Sequence, residues 1–338
     1  ANRKIKFIHR VPFSANTNSG GSASAFVEKM TRETLDTLTV CERPVYTELK
    51  FNWSHAHSTP HLAKVHGGEL TDAYWNPAPK NYRLAWMMRN EDFFMLRWGQ
   101  SDFIRQHITA NAHDYVNGYY VGSECYIPAK DYITSMPGTS YRYAFERQWM
   151  FYNMWGRLLF SPEEPDETFQ QSFEQKFPGH GEKLFSAQQS VSKVPLVFAS
   201  FWNATWDFTL YSEGMLTLYN NRLIVFPIDE IIRKQPMDPR LMSIAEFVNN
   251  DPNSRNKITP IALADSLESL CIEARKLVTE IKANGNTDLL YEVSDIQTWA
   301  NLGICFSNRL RASVEYMEFL KSGEDKHKTN TLVMLKQS

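Results

Sequence analysis

The sequence predicts an α/β fold: a (β/α)-barrel part with about four parallel strands over residues 1–135, then a mainly α-helical domain over 136–338. Three observations predict it. An apolar run, Leu84 to Met88, stops at Arg89-Asn90-Glu91-Asp92, and a second, Tyr119 to Val121, stops at Gly122-Ser123-Glu124. Continuous apolar runs bounded by polar residues fit strands buried on both faces. Between them, Phe103 to Ile108 has amphipathic helical spacing, and strands joined by a crossover helix run parallel. Beyond about residue 130 the strand signal fades and helical stripes take over.

The elements follow in order. Ile5 to Val11 reads as a strand entering a turn-rich loop, Pro12 to Gly21, with a helix from Ser24 to Leu38. Val45 to Trp53 reads as the second strand, ending at Ser54-His55-Ala56-His57. With the two runs above, this makes four βα units. Tyr141 to Phe160 is a helix carrying Trp149, Phe151, Met154, Trp155 and Leu158, stopped at Ser161-Pro162. Glu167 to Phe177 is a short helix closed by Pro178-Gly179. Residues 182–201 mix a helix with an apolar run whose end, Val194 to Phe201, the pattern leaves open, and 202–258 read as irregular.

Thr259-Pro260 starts a helix with the stripe Leu263, Leu267, Leu270, Ala274, Leu277 and Ile281, stopped at Asn284-Gly285. A second long helix carries Val293, Ile296, Ala300, Gly303, Ser307, Leu310, Val314 and Met317; its small middle residues allow a neighbour to approach closely, so the two form an antiparallel hairpin. A closed barrel needs eight strands. The sheet is therefore either open or the carboxyl-terminal half of a longer barrel. The start on Ala1 and at once on a strand favours the second, with an upstream portion of the same polypeptide as partner.

Composition narrows the function. A net charge of −2 gives no basic field for nucleic acid. The four cysteines are scattered, without metal-ligand spacing, and no run reaches the length of a membrane helix. Aromatics make up 13% of residues, with most of the tryptophans in the first 210. Rim aromatics suit sugar rings, and a large aromatic core explains them equally.

In parallel α/β folds the site lies at the carboxyl ends of the strands. That rim offers His9-Arg10, Asn52 to His57, Arg89 to Asp92 and Gly122 to Glu124. Two carboxylates there suit glycoside hydrolysis, which needs one acid to protonate the leaving oxygen and a second as base or nucleophile. The candidate catalytic residues are Asp92, Glu124 and Glu91. The candidate substrate-binding residues are Arg10, Trp53, His55, His57, Arg89, Asn90, Trp98 and Tyr126. Glu48 lies mid-strand and can pair with Lys50 on the same side by period two. His55 and His57 form a His-x-His that suits a metal-dependent, amidohydrolase-like hydrolase; the preferred reading is hydrogen bonding to substrate hydroxyls at the rim, or loop structure, with no metal and no cofactor. A third class is a sugar-binding barrel without catalysis. No nucleophile elbow, dinucleotide fingerprint or P-loop occurs. Asp207 and Glu213 mark a second acidic-aromatic cluster, fitting either the rim or interdomain packing.

The stretch Trp149-Met-Phe-Tyr-Asn-Met-Trp-Gly-Arg-Leu158, followed by Ser161-Pro-Glu-Glu-Pro165, resembles the segment after the last barrel strand in α-glucuronidase-like glycoside hydrolases. The helices from Thr259-Pro260 through Asp295 and Leu302-Gly303 look like the helical domain that follows such barrels. Arg89-Asn-Glu-Asp92, Arg97-Trp98-Gly99 and Gly118 to Glu124 are similar to uncharacterised barrel proteins of polysaccharide-degrading bacteria. The resemblance implies a cofactor-free glycosidase acting on an acidic or complex plant or algal polysaccharide, in a periplasmic or secreted setting. It also implies that the usual fourth-strand proton donor lies upstream of this chain.

Overall fold

The computed structural model of the protein describes residues 5–11, 25–52, 56–65, 68–69, 71–89, 95–122, 138, 141, 143–201, 216–219 and 222–338. A four-stranded parallel sheet has the order β1 (Ile8–Arg10), β2 (Val45–Lys50), β5 (Tyr82–Arg89), β6 (Val116–Gly122). Strands follow one another in sequence across the sheet, so it is wound in one direction, as a partial (β/α) barrel is. The crossovers are α1 (Ala25–Thr37) and α2 (Ser101–Ala110). Between β2 and β5 the expected helix is not found among the described residues. That connection carries a small hairpin, β3 (Lys64–Val65) with β4 (Gly68–Glu69), and a turn-rich stretch ending in Pro77 and Pro79, which deny a helix its donors. The stretch is tied to α1: Asp36 accepts from the Lys80 and Asn81 amides, and the Asn81 side chain donates to the Leu35 and Leu38 carbonyls.

The two faces of the sheet differ. Thr47, Leu49, Leu84, Trp86 and Met88 are fully buried on one face. There Trp86 meets Phe51 and Trp75 edge-on, and Tyr119 packs on His107 of α2 and on Trp155. Side chains alternate along a strand, so the pairings Arg10↔Glu48↔Ala85 and Lys50↔Met87↔Tyr120 put those residues on the opposite face. Arg10 is exposed and Tyr120 half-exposed.

Among the described residues the outer edges of β1 and β6 carry no further strand. Beside β1 the apolar residues Ile5, Phe7 and Ile8, with Phe26 and Met30 of α1, are exposed. Phe7, Val27, Met30 and Leu35 help line a groove of about 360 Å³ between β1 and α1.

The remainder is helical: α3 (Ala144–Arg147), α4 (Trp149–Phe160), α5 (Asp166–Lys176), α6 (Gly181–Val191), α7 (Lys193–Phe201), α8 (Ile228–Arg233), α9 (Ile244–Val248), α10 (Pro260–Thr279), α11 (Thr287–Ser322) and α12 (Asp325–Lys336). The undecided run 194–201 is helix, because Pro195 falls in its first turn, where a missing amide donor is harmless. Residues 202–258 are not wholly irregular: an antiparallel hairpin, β7 (Leu216–Tyr219) with β8 (Arg222–Val225), interrupts the helices.

In α10, Thr259 caps the helix by accepting from the Ala262 amide at 3.2 Å. Its buried stripe runs Ala264, Leu267, Cys271, Ala274, Val278, one position beyond most of the leucines of the expected stripe. The smaller residues win because α11 approaches there. The expected α11 stripe from Val293 to Val314 is buried throughout. A Cβ on Gly303 would overlap Cys271 Sγ and come within 2.8 Å of Val194 Cγ2. We therefore expect Gly303→Ala to destabilise the protein by about 1–3 kcal/mol through overpacking, read as a lowered thermal midpoint. An unchanged midpoint would show that α10 and α7 give way freely.

Candidate functional site

The site is built on the polar face of the sheet at its carboxyl end. Arg10, Lys50 and Arg89 are the last residues of β1, β2 and β5. Glu48 and Tyr120 lie on the same face, each two residues before its strand end. Lys50 is completely buried and Glu48 partly so. The sequence ranked Glu48 as a partner for Lys50 and overlooked Tyr120; the register puts Glu48 beside Arg10 on the neighbouring strand and Tyr120 in line with Lys50 across β5, with Met87 between them.

Of the expected site residues, Asp92, Glu91, Glu124, Trp53, His55, Asn90 and Tyr126 lie outside the described residues, as do Asp207 and Glu213. Of Arg89 the backbone alone is described, closing β5 against Gly122. Arg10 stands at the carboxyl rim, as expected.

His57 and Trp98 do not. Each is 2% exposed, and their rings meet at 4.9 Å. His57 also faces Phe103 and Phe151, and Trp98 lies 4.9 Å from Phe151. They belong to the aromatic core beneath the rim, where burying a large ring removes more apolar surface from water than a sugar contact would. Beside them His107 is fully buried, its pKa pushed down to about 3 by burial and the nearby His57, so it is neutral. A His-x-His metal centre that uses His57 does not fit this placement; among the described residues no group of three or more His, Cys, Asp or Glu could hold a metal ion. Trp86, Trp155 and Trp299 are core residues too.

The chain leaving β5 is fastened to the helical region. From Met95 onward, side chains of three helices, α3, α6 and α11, and of the joints that follow α3 and α6 take its backbone groups. Arg147 donates to the Met95 carbonyl at 3.0 Å and Gln148 to the Leu96 carbonyl at 2.8 Å. Asp295 of α11 accepts from the Arg97 amide at 3.1 Å, and Trp299 donates to the Arg97 carbonyl at 3.1 Å. Ser192 accepts from the Gly99 amide, and Gln189 closes the run by bonding Gly99 and Ser101. Gln100 then caps α2 through the Phe103 amide.

The side chain of Arg97 fills the centre of this junction. Its Nη1 lies 2.5 Å from Asp295 and its Nε 3.3 Å from Glu292, with the rings of Tyr141 and Tyr291 each 5.7 Å from the guanidinium. Trp149 and Gln188 also donate toward Glu292. Burial pushes both carboxyls up against the attraction of Arg97, and Glu292 reaches about 7 from an ordinary 4.5. A carboxyl with a raised folded pKa binds its proton more tightly when folded, so its contribution to stability falls as pH rises through that interval. We expect the thermal midpoint of the wild type to fall relative to Glu292→Gln between pH 4.5 and about 7. A constant offset across that window would remove the titration from Glu292.

No protein-family model matches the chain, and no curated protein matches it. A solved structure does: a GH138 enzyme targeting pectin rhamnogalacturonan II superposes with a TM-score of 0.68 at 12% sequence identity, over 99% of this chain and 48% of that one. The chain thus spans about half the length of that enzyme. What the two share is the architecture, and this protein has a glycoside-hydrolase-like fold, a partial (β/α) barrel followed by a helical region.

Proposed function

We infer that the protein is a glycoside hydrolase acting on a complex, acidic polysaccharide or oligosaccharide of the pectic kind. The observation that carries this is the polar face of the sheet, ending in Arg10, Glu48, Lys50 and Tyr120 at the carboxyl rim of a fold shared with a pectin-targeting enzyme. Arg10 is the residue to grip a sugar carboxylate, since a guanidinium binds that group in a two-pronged, charge-assisted way. The finer kinship to α-glucuronidase-like enzymes rests on the motif at 149–165.

Asp92 and Glu124 follow β5 and β6 in the chain and take the two carboxyl roles, with Glu91 as a third acid. One carboxylic acid gives its proton to the glycosidic oxygen as the bond to the anomeric carbon breaks. The other carboxylate either attacks that carbon or takes a proton from an attacking water; the distance between the two decides which. The exposed apolar edge at β1 and α1 supports a further polypeptide segment, an upstream portion of the same chain, as the covering partner.

With rhamnogalacturonan II oligosaccharides as substrate, Asp92→Asn and Glu124→Gln should each lower turnover by about two orders of magnitude or more, with the fold intact by circular dichroism. Near-wild-type rates in both variants would overturn the assignment. Calorimetric binding without any product would instead establish a sugar-binding barrel.

A further inference from the structure

At the carboxyl end of β2 the returning chain is clamped to the strand it has just left. Asn52 adopts the left-handed backbone conformation, φ 51°, which asparagine tolerates better than most residues. Its Oδ1 accepts from the Ala63 and Lys64 amides at 2.7 and 3.0 Å, and its Nδ2 donates to the His61 carbonyl at 2.9 Å. The Asn52 amide donates to the Lys64 carbonyl, and Phe51 bridges to Val65. Lys64 is thereby fixed at the rim beside the last residues of β2. Side chains alternate along β3, so with Val65 buried, Lys64 points out to solvent.

A second cation reaches the same place from the helical region. Ser200, near the end of α7, donates through its hydroxyl to the Ser58 carbonyl at 3.2 Å, and its own carbonyl accepts from the Met237 amide at 3.0 Å. One residue thus ties the return after β2 to the segment that follows α8. Lys234, which closes α8, is half-buried on that segment. Burial pushes its pKa down to about 8, and the charge of Lys64 pushes the same way, against a smaller pull from Glu230. Two ammonium groups from separate parts of the fold therefore stand close enough to repel. Lys64 has no ion pair of its own among the described residues. An anion between the two relieves that repulsion, and a carboxylate, with two oxygens, can take a charge-assisted hydrogen bond from each.

We propose that Lys64 and Lys234 form a binding site for a uronate carboxylate of the substrate. This rests on the reading above of an acidic sugar substrate. It adds to Arg10, on the neighbouring strand, a second point at which an acid group is held. The site selects sugars that carry several acid groups over neutral ones. It is also shared between two parts of the fold, Lys64 from the sheet region and Lys234 from the helical region, so it exists only when the two are docked.

The test is calorimetric binding of trigalacturonate and of its fully methyl-esterified form, which keeps the sugar and removes the charge, to the full-length protein. The variants are Lys64→Gln and Lys234→Met, with Lys282→Gln, an exposed lysine beyond the end of α10, as control. Lys234→Met keeps the apolar stem and removes the charge; Lys64 is exposed, so Lys64→Gln reports even if Lys234→Met folds poorly. The wild type should bind the acid more tightly than the ester. Each of the first two variants should weaken acid binding about tenfold and change ester binding by less than about twofold, while the control binds both as the wild type does. Unchanged acid affinity in both lysine variants, equal losses for acid and ester, an equal loss in Lys282→Gln, or a wild type that binds the acid no better than the ester overturns the site. Turnover is scored separately. A wild type that binds the acid through the two lysines and cleaves no oligosaccharide overturns the glycosidase reading and leaves the site. One that cleaves, with unaltered affinity in both variants, overturns the site and leaves the reading.

Discussion

Arg97 sits 5% exposed between the carboxyl groups of Glu292 and Asp295, which are three residues apart on α11 and so share one face of it. Withdrawing three ionisable groups from water is unfavourable, and such a cluster persists because each member would be worse off alone. Removing one partner of a buried pair costs about 3–5 kcal/mol, since a charge is left without compensation. The cluster therefore specifies geometry more than it adds stability. It admits one docking of the strand-end segment on the helical region, and the bonds from Arg147, Gln148, Gln189 and Trp299 all presuppose that docking.

From that junction the rest follows outward. With the segment after β5 fixed, α2 starts where Gln100 can cap it, and its buried residues Phe103, Ile104, His107 and Ile108 cover the apolar face of the sheet. Covering one face leaves the other to carry charge. On that other face Arg10 is exposed and Glu48 half-buried, while Lys50 is buried beside Met87. The two-faced sheet and the buried Arg97 act together: helices cover one side of the sheet and hold the frame.

Much of this was legible in the sequence where local pattern decides. The run Leu84–Met88, the amphipathic α2 and the α11 stripe with Gly303 at its centre all read correctly, because periodicity and burial agree there. The α10 stripe read one position off: leucines mark the side with most apolar bulk, whereas closeness to α11 selects Ala264, Cys271 and Val278. The hairpin at 216–225 and the polar α12 carry weak patterns of their own and were missed. The place of Arg10 at a strand end was legible from the apolar run before it. His57 and Trp98 were misplaced because a histidine or tryptophan near a strand end looks the same whether it faces the rim or the core. Asp295 and Glu292 gave no signal as partners of Arg97, since nothing local connects residues 198 positions apart.

That separation bears on how the protein is made. A chain leaves the ribosome from its amino terminus, and domains commonly begin to fold in that order. The four strands and both crossover helices are complete by Gly122, yet Arg97 has no counter-charge from α11 until Asp295 has been synthesised, and its carbonyl no donor until Trp299. During that interval a guanidinium destined for the interior must remain in water. The sheet can form early, but the junction that fastens the chain after β5 to the helical region is finished only once α11 has been made.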